Sequence, residues 1–364
     1  MIARLGDICT VVSGSTPKSV VPEYWDGDVK WITPAELDDD SYIISDSVRH
    51  ITTLGVTKTG LKPFPAGTVI LSSRAPIGKT AIAGCEMYCN QGFKNLICSN
   101  NIDSKYLYFF LSSKRDYLNS LGRGATFKEI SKTIVENIEI PLPEMAEQKA
   151  ISTRFENLMK LIQLRKTELE KLDQLVKSRF IELFGDPQTN PFKYKQAKLS
   201  DVATYYNGLT YKPENVAEIG TIVLRSSNIQ NSQLDFADTV RVDCAVRERL
   251  MVQENDILMC SRNGSAKLVG KVALIKGVQE PMSFGAFMMI IRSRYNSYLM
   301  TYFQLDAFRQ QIKTGATTTI NQITGRMLDN VTIPLPPIAL VEQFAAFVEQ
   351  TDKSKLCDEM GVAA

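Results

Sequence analysis

The stretch IPLPEMAEQKAI (residues 140–151) recurs later in the chain as IPLPPIALVEQF (residues 333–344). In both places prolines stand directly before a segment with helical character, where they suit a helix start. Three further matches follow the same order: RLGD at 4–7 with KLSD at 198–201, VILSSR at 69–74 with DILMCSR at 256–262, and GAT at 124–126 with GAT at 315–317. All shifts lie between 188 and 195 residues. This regularity predicts a tandem duplication of one domain followed by a helix.

Each half contains short strand signals separated by Gly, Pro and Asn, such as GTVILSSR in the first half and NDILMCSR in the second. A helix is predicted after the strands in each half, near 103–121 and 295–312. The pattern indicates an α+β fold: two tandem domains with mixed or antiparallel sheets, separated by long helices. The predicted boundaries are 1–143 and 186–337 for the two domains, and 144–185 and 338–364 for the helices.

Residues 144–184 between the halves contain neither Pro nor Gly, and Gly185 follows as a C-cap. Steps of four and three from Ile151 to Leu183 meet apolar residues at eight of ten positions, which is typical of a coiled-coil seam. The duplication predicts the partner helix after residue 337. The seam residues of the two helices are predicted to be Ile151, Phe155, Leu158, Ile162, Leu169, Leu172, Val176, Leu340, Phe344 and Phe347.

The second helix becomes polar after Phe347 and is predicted to be about half as long as the first, as though truncated. Part of the longer seam is therefore expected to stay bare, to pair with another chain as in a homodimer, or to meet a larger partner protein.

Composition excludes several classes of protein. The chain of 364 residues has no apolar run of membrane-spanning length and no secretion signal, so we expect no membrane association and a cytoplasmic location. Seven cysteines at irregular spacing predict reduced thiols. A single histidine disfavours a Ser-His-Asp apparatus, and Cys85 and Cys89 lack a second pair of metal ligands, so no metal site is expected.

Charge is distributed in the same way in both halves. The net charge is −3 over residues 1–69 and +5 over 70–134, then −3 over 198–259 and +7 over 260–326. Such clustering is expected of a phosphate-binding face, with an ordinary solvated surface as the alternative. Its repetition favours nucleic acid.

The segment SSRAPIGKT (72–80) ends like a nucleotide-binding loop. Ser73 stands where that motif has its first glycine, Pro76 removes one N–H group from the phosphate cradle, and the following residues have strand character. These departures disfavour a nucleotide-binding loop. A nucleotide-hydrolysing enzyme that uses this loop remains one alternative hypothesis, and a coiled-coil scaffold without DNA contact is another.

The chain resembles the specificity (S) subunits of type I restriction–modification systems over nearly its whole length. The motifs that carry the resemblance are LGD, WITPAEL, LSSRAPIG, NQGF, GATFKEISK and IPLPEMAEQKAI in the first half, and LRSSNI, MCSRNG, GATTTINQI and IPLPPIALVEQF in the second. The resemblance implies two target recognition domains that each read one part of a split sequence in double-stranded DNA. It also implies that the two long helices form an antiparallel coiled coil, which spaces the halves and docks methylation (M) subunits. A motor/nuclease (R) subunit would join for cleavage.

The chain itself is then expected to be non-catalytic and to bind no cofactor, because S-adenosylmethionine, ATP and Mg²⁺ are expected on the partner subunits. Arginine grips guanine O6 and N7, lysine neutralises phosphate, and Gln or Asn pairs with adenine. Arg74 and Arg262 are the predicted groove readers. The full set of predicted DNA contacts is Ser73, Arg74, Lys79, Gln91, Lys94, Arg123, Thr126, Lys128, Arg225, Asn228, Ser261, Arg262, Asn263, Lys267, Lys271 and Thr317.

Overall fold

The computed structural model of the chain describes residues 1–124, 128–313 and 322–360. It consists of two compact units, Met1–Leu164 and Arg165–Ala364. Within the described ranges, no helix combines the length and apolar character that crossing a membrane requires.

The first unit alternates short strands with short helices. Its strands are β1 (Ile2–Arg4), β2 (Cys9–Val12), β3 (Trp25–Ile32), β4 (Ile43–Ile44), β5 (His50–Ile51), β6 (Val69–Leu71), β7 (Thr80–Ala83), β8 (Tyr88–Cys89), β9 (Asn95–Cys98) and β10 (Glu139–Pro141). Its helices are α1 (Leu5–Ile8), α2 (Thr53–Thr59), α3 (Ser104–Ser113), α4 (Arg115–Ser120), α5 (Lys132–Glu136) and the first part of α6 (Met145–Phe184).

The described strands of the first unit form a five-stranded sheet in the order β2-β9-β6-β7-β4, a three-stranded sheet β5-β3-β8 and the pair β1-β10. Most neighbours are antiparallel, whereas β4 pairs with β7 and β3 with β8 in parallel. Strands β6 and β7 are buried along their full length, since helix α3 covers one face of the larger sheet. The sheets are therefore mixed, as the sequence predicts.

Polar contacts fix the start of α6 on the first unit. The buried side chain of Gln148 accepts from the Asp103 N–H at 2.9 Å and donates to the carbonyls of Asn101 and Pro143 at 3.0 and 2.9 Å. About two turns further on, Glu156 accepts from the Lys105 ammonium at 2.7 Å and from the Tyr42 hydroxyl at 2.8 Å. The lysine, followed by the tyrosine, holds the pKa of Glu156 below its ordinary value.

The second unit repeats this order with insertions. Its strands are β11 (Gln196–Lys198), β12 (Thr204–Asn207), β13 (Val216–Ala217), β14 (Thr221–Leu224), β15 (Ile229–Gln230), β16 (Gln233–Leu234), β17 (Arg241–Val242), β18 (Ile257–Cys260), β19 (Val272–Leu274), β20 (Met282–Phe284), β21 (Met288–Arg292) and β22 (Thr332–Pro334). Its helices after α6 are α7 (Leu199–Val202), α8 (Asn296–Tyr302), α9 (Asp306–Lys313), α10 (Gly325–Asp329) and α11 (Ile338–Met360).

The sheet β12-β21-β18-β19 of the second unit matches β2-β9-β6-β7 of the first, and the pair β11-β22 matches β1-β10. The sheet β13-β17-β14-β20 contains one parallel pair, β14 with β20. The predicted α+β class with two tandem domains is confirmed by this repetition of strand order.

Helices α6 and α11 pack together in the second unit around aromatic side chains. Phe344 lies 5.4 Å from Phe184 and 5.7 Å from Phe180 between ring centroids, and Tyr298 of α8 stacks on Phe180 at 5.0 Å. Eleven residues after Phe344, the Lys355 ammonium lies 2.7 Å from the carboxylate of Asp173. Advancing along α11 thus means receding along α6, so the pairing is antiparallel.

The predicted seam falls into two parts. Leu169, Leu172 and Val176 are half-buried in the second unit together with Leu340 and Phe347, and Phe344 is fully buried. Ile151 packs into the core of the first unit. Three seam residues are exposed instead: Phe155 (45%), Leu158 (53%) and Ile162 (50%).

The single helices predicted at 103–121 and 295–312 are each two helices in the structure. Lys114 departs from helical geometry between α3 and α4, with φ −108° and ψ 21°. In the second unit, a turn over residues 303–305 separates α8 from α9. Neither break contains Gly or Pro, so the sequence carries no strong signal for it.

Candidate nucleic-acid interface

In each unit a loop begins at a glycine that touches the end of a strand. An ideal Cβ on Gly14 would lie 1.8 Å from the carbonyl oxygen of Cys89, and one on Gly208 would lie 2.1 Å from that of Gly285. Any other residue would clash with backbone at both places. The loops that follow are held against β8 and β20, because the N–H groups of Ser15 and Leu209 donate to the carbonyls of Cys89 and Phe284 at 3.0 and 2.7 Å.

The Ser-Arg motifs form a second loop beside the first. The Ser73 N–H donates to the Gly92 carbonyl at 2.8 Å, and the Ser73 carbonyl accepts from the Ile130 N–H at 3.0 Å. The Ser261 N–H donates to the Phe287 carbonyl at 2.9 Å, and its carbonyl accepts from the Ile323 N–H at 2.7 Å. Both serines are buried. The prediction that Ser73 and Ser261 contact DNA is therefore wrong, because they anchor the loops from inside.

The arginines that follow these serines have different surroundings. Arg74 is half-buried, with a guanidinium nitrogen 4.0 Å from the carboxylate of Glu129. Glu129 also binds the Lys94 ammonium at 3.0 Å, and Lys94 is 7% exposed. The prediction that Lys94 reaches DNA is therefore wrong, since its charge is used inside the loop.

Arg262 is exposed, and its guanidinium carbon lies 5.4 Å from the ring centroid of Phe287. Within the part of the chain that the structure describes, no carboxylate lies at ion-pair distance from it. The second unit thus presents a cation that is unpaired among these residues, on an aromatic ring that is itself 59% exposed.

The lysines downstream of the arginines point inward. The Lys79 ammonium donates to the carbonyl of Leu37, and that of Lys271 donates to the carbonyl of Ile229 at 2.8 Å. These carbonyls occupy equivalent places, directly after the 3-10 turns Pro34–Glu36 and Ser226–Asn228. The repeated lysine therefore tethers a turn in both units, and the neutralisation of phosphate by Lys79 and Lys271 stays a prediction. Lys267 is exposed, as a phosphate contact requires.

Asn228 is part of the same turn and is 1% exposed. Its side chain accepts from the Arg225 N–H at 2.8 Å and donates to the carbonyls of Asp235 and Asp238 at 2.8 and 3.0 Å. Its amide is fully occupied, so the prediction that it pairs with adenine is wrong. Arg225 is half-buried and bound to the Asp238 carboxylate at 2.6 Å, which ties its charge to the turn.

The remaining predicted contacts lie on or near the loop surfaces. Gln91 is exposed and accepts from the hydroxyl of Thr16 at 2.5 Å. Asn263 donates to the Ser226 hydroxyl at 3.3 Å. Arg123 and Lys128 are exposed on the strand-like segment opposite Arg74. Thr126 and Thr317 lie outside the described residues.

Two side chains at this surface were missed by the sequence reasoning. Thr16 belongs to the loop after Gly14, and its hydroxyl fixes the Gln91 amide. Phe287 lines a cavity of about 320 Å³, together with Leu209, Thr210, Tyr211, Arg225, Ser226, Ser227, Gly285, Ala286 and Met288. In the sequence, GAFMM gives no sign that this phenylalanine faces solvent.

We call the loop after Gly14 with the Ser73-Arg74 loop, and the loop after Gly208 with the Ser261-Arg262 loop, the two loop clusters. Among the described cysteines nearest to these loop clusters, none has an activated thiol. Burial raises the pKa of Cys89 to about 12 and also raises that of Cys260. Both therefore stay protonated and inert near neutral pH. Both are packing residues beneath the loops.

Comparison with known proteins adds the decisive observation. The family model described as type I restriction modification DNA specificity domain matches residues 1–174 and again residues 191–357. The chain belongs to this family. Each loop cluster lies within one of the two matches, so the chain contains two specificity domains.

Individual relatives carry the same assignment. The MjaIX specificity subunit of a type I restriction enzyme from Methanocaldococcus jannaschii is 38% identical over 203 residues, which is 55% of this chain and 46% of that relative. The EcoKI specificity subunit from Escherichia coli K12 is 26% identical over 81% of this chain and 69% of its own length. The aligned region thus spans less than half of the first relative.

Solved structures agree on the fold. A type I restriction–modification S subunit from M. genitalium aligns over 100% of this chain and 92% of its own, with a TM-score of 0.55 at 13% identity. A chain from a structure of type I complex assembly aligns over 99% and 94%, with a TM-score of 0.56 at 18% identity. The architecture of the type I specificity domain pair is therefore present.

The phosphate-loop reading of residues 72–80 is wrong. Thr80 begins strand β7 instead of preceding a helix, and its hydroxyl lies 2.6 Å from that of Ser112. Lys79 is bound to a carbonyl. The Thr80 hydroxyl is buried and engaged, so it is not placed to hold a metal ion as the motif requires, and this loop gives the specificity domain its shape.

Proposed function

We propose that this chain is the DNA-recognition subunit of a type I restriction–modification complex and that each unit reads one part of a split target in double-stranded DNA. The observation that carries the proposal is the loop cluster built once in each specificity domain, with the same anchors and different exposed side chains. A shared scaffold with different surfaces suits two half-sites of unrelated sequence.

The test is a genome-wide methylation profile of a host that carries the cognate methylation subunit, with and without this chain. We expect a new split motif of two short blocks around a fixed gap. Normal levels of both proteins without any new methylation would contradict the proposal.

Methylation and motor/nuclease subunits are the proposed partners, and these subunits, rather than this chain, are proposed to bind S-adenosylmethionine, ATP and Mg²⁺. Support comes from α6, where Leu158, Ile162 and Leu164 are 53%, 50% and 66% exposed. Apolar side chains on one stretch of helix are typical of a surface that another protein covers. We propose that a methylation subunit covers this stretch, with a second copy of the chain as the competing occupant.

Replacing Leu158 by alanine is expected to weaken association with the methylation subunit roughly 5- to 30-fold, because burying a half-exposed leucine side chain contributes about 1–2 kcal/mol. Leu54→Ala is the matched control, since Leu54 is 46% exposed on α2. Titration of the purified proteins measures the difference. If Leu158→Ala instead changes only the sedimentation of the chain alone, the second copy is the occupant.

Lys267 and Lys271 are expected to behave differently when each is replaced by methionine. Lys267→Met should reduce the slope of log affinity against log salt by about 0.9, as loss of one phosphate contact does. Lys271→Met should leave this slope unchanged and lower the free energy of unfolding by about 1 kcal/mol, because its hydrogen bond to the Ile229 carbonyl is lost. DNA binding at several salt concentrations and urea unfolding separate the two. Equal slopes for both variants would contradict the assignment of a phosphate contact to Lys267 and a structural role to Lys271.

A further inference from the structure

The two loop clusters differ most at one pair of positions. Gly92 and Phe287 are equivalent, because each carbonyl accepts from the serine that precedes the loop arginine, at 2.8 and 2.9 Å. Two residues earlier, the N–H groups of Asn90 and Gly285 donate to the carbonyls of Ile32 and Leu224 at 3.2 and 2.9 Å. The residues in between, Gln91 and Ala286, are therefore also equivalent.

The side chains at these positions are polar in the first unit and apolar in the second. The first unit presents the amide of Gln91, held by Thr16, followed by a glycine. The second presents the methyl group of Ala286 followed by a phenyl ring that is 59% exposed. An amide suits hydrogen bonds to a base edge, whereas a methyl and a phenyl group suit an apolar feature of the DNA.

The fold does not require an aromatic side chain at position 287. Its carbonyl accepts from both the Ser261 and Arg262 N–H groups, at 2.9 and 3.0 Å, so the backbone holds the loop. The equivalent anchor in the first unit works with glycine. What the ring does contact is the Arg262 guanidinium, at 5.4 Å from its centroid, and this orients the arginine beside an apolar surface.

The thymine 5-methyl group is the apolar feature that base edges present in the major groove. Resting on the proposed DNA-recognition function, we propose that Phe287 contacts the 5-methyl group of a thymine in the half-site read by the second unit, beside the base that Arg262 contacts. Phe287 is then a specificity-determining residue, and the second half-site contains an A·T pair that the equivalent position of the first unit does not select in this way.

The test starts from the split motif found by methylation profiling and uses the full chain in its methylation complex. Synthetic duplexes carry deoxyuridine in place of each thymine of the second half-site in turn, which removes only the methyl group. We expect wild-type affinity to fall about three- to fivefold at one thymine, as loss of one apolar methyl contact predicts. The Phe287→Ala variant should bind the unmodified duplex correspondingly less tightly and show no further loss with deoxyuridine at that position.

Phe236→Ala is the control, because Phe236 is also an exposed aromatic residue of the second unit, at 44%. It should retain the wild-type response to deoxyuridine. The proposal is overturned if no deoxyuridine substitution weakens wild-type binding, if the second half-site has no A·T pair, or if Phe287→Ala weakens binding equally to thymine and deoxyuridine duplexes, as base stacking would. In those cases a split motif still supports the recognition function, whereas the absence of any split motif overturns both.

Discussion

Replacing Phe344 by alanine is expected to lower the free energy of unfolding of the second unit by about 3–5 kcal/mol. Phe344 is fully buried, and its ring touches Phe180 and Phe184 of α6 in an edge-on arrangement. Alanine leaves a cavity that cannot collapse easily, because the surrounding side chains are rigid aromatic rings. Since these contacts join α6 to α11, the helix pair should lose order first. Urea unfolding followed by far-UV circular dichroism measures the change.

The control for this prediction is Phe347→Ala, one turn further along α11. Phe347 is half-buried and lies 5.8 Å from the Arg179 guanidinium, so we expect a smaller loss of about 1–2 kcal/mol. Both tryptophans, Trp25 and Trp31, lie in the first unit, so tryptophan fluorescence gives a separate reading of that unit. Equal losses for the two variants would mean that Phe344 is not the centre of the helix contact.

The helices and the duplication were predictable because both depend on regular spacing. The apolar steps from Ile151 to Leu183 predict a long helix, and α6 runs from Met145 to Phe184. The repeated segments locate the same strand order twice, since a shared sequence pattern folds to a shared sheet. Periodicity identifies the apolar face of a helix, but it does not identify which other segment packs against that face. It therefore could not predict which part of the seam is covered.

The site was less predictable because a charged side chain on a loop has no periodicity that fixes its direction. Lys79 and Lys271 repeat, as phosphate contacts in two equivalent domains would, but they repeat because each tethers a turn to a carbonyl. One partial signal was available: TPAE at 33–36 places a carboxylate three residues after Thr33, as in a capping box, and RSSN at 225–228 has the same spacing. RSSN lacks the Ser or Thr and the Glu or Gln of that motif, so the spacing alone does not identify Asn228 as a structural residue.

In the Ser-Arg motifs, the burial of the serines was predictable from sequence, whereas the surroundings of the arginines were not. Ser73 and Ser261 follow closely after strands whose residues are all buried, so their burial continues that of the strands. Whether the arginine after each serine can contact DNA depends on whether a carboxylate from a distant part of the sequence lies beside it. Glu129 lies near Arg74, whereas Gln322 pairs with Arg262 in the equivalent bridge and carries no charge. Because of this difference we propose Arg262 as the better reader of the two, and neither local sequence contains the residue that makes the difference.

Arg262→Ala is accordingly expected to weaken recognition of the second half-site by about 1–3 kcal/mol, roughly 5- to 150-fold in affinity, and to leave the first half-site unaffected. Arginine reads guanine through two parallel hydrogen bonds, and alanine keeps neither. Arg74→Ala should have a smaller effect on its own half-site, because the charge of Arg74 is already shared with Glu129. Binding to duplexes with single base changes in either half-site measures both effects.

Arg294→Ala separates recognition from a general loss of charge. Arg294 is exposed and lies 5.2 Å from the Tyr295 ring, much as Arg262 lies over Phe287, but it follows the opposite end of β21 from the loop cluster. It should therefore leave half-site preference intact. If Arg262→Ala behaves like Arg294→Ala, the exposed arginine is not a base reader. If neither Arg262→Ala nor Arg74→Ala changes binding at all, the chain acts as a scaffold, because a domain that reads DNA through these loops cannot lose both arginines without effect.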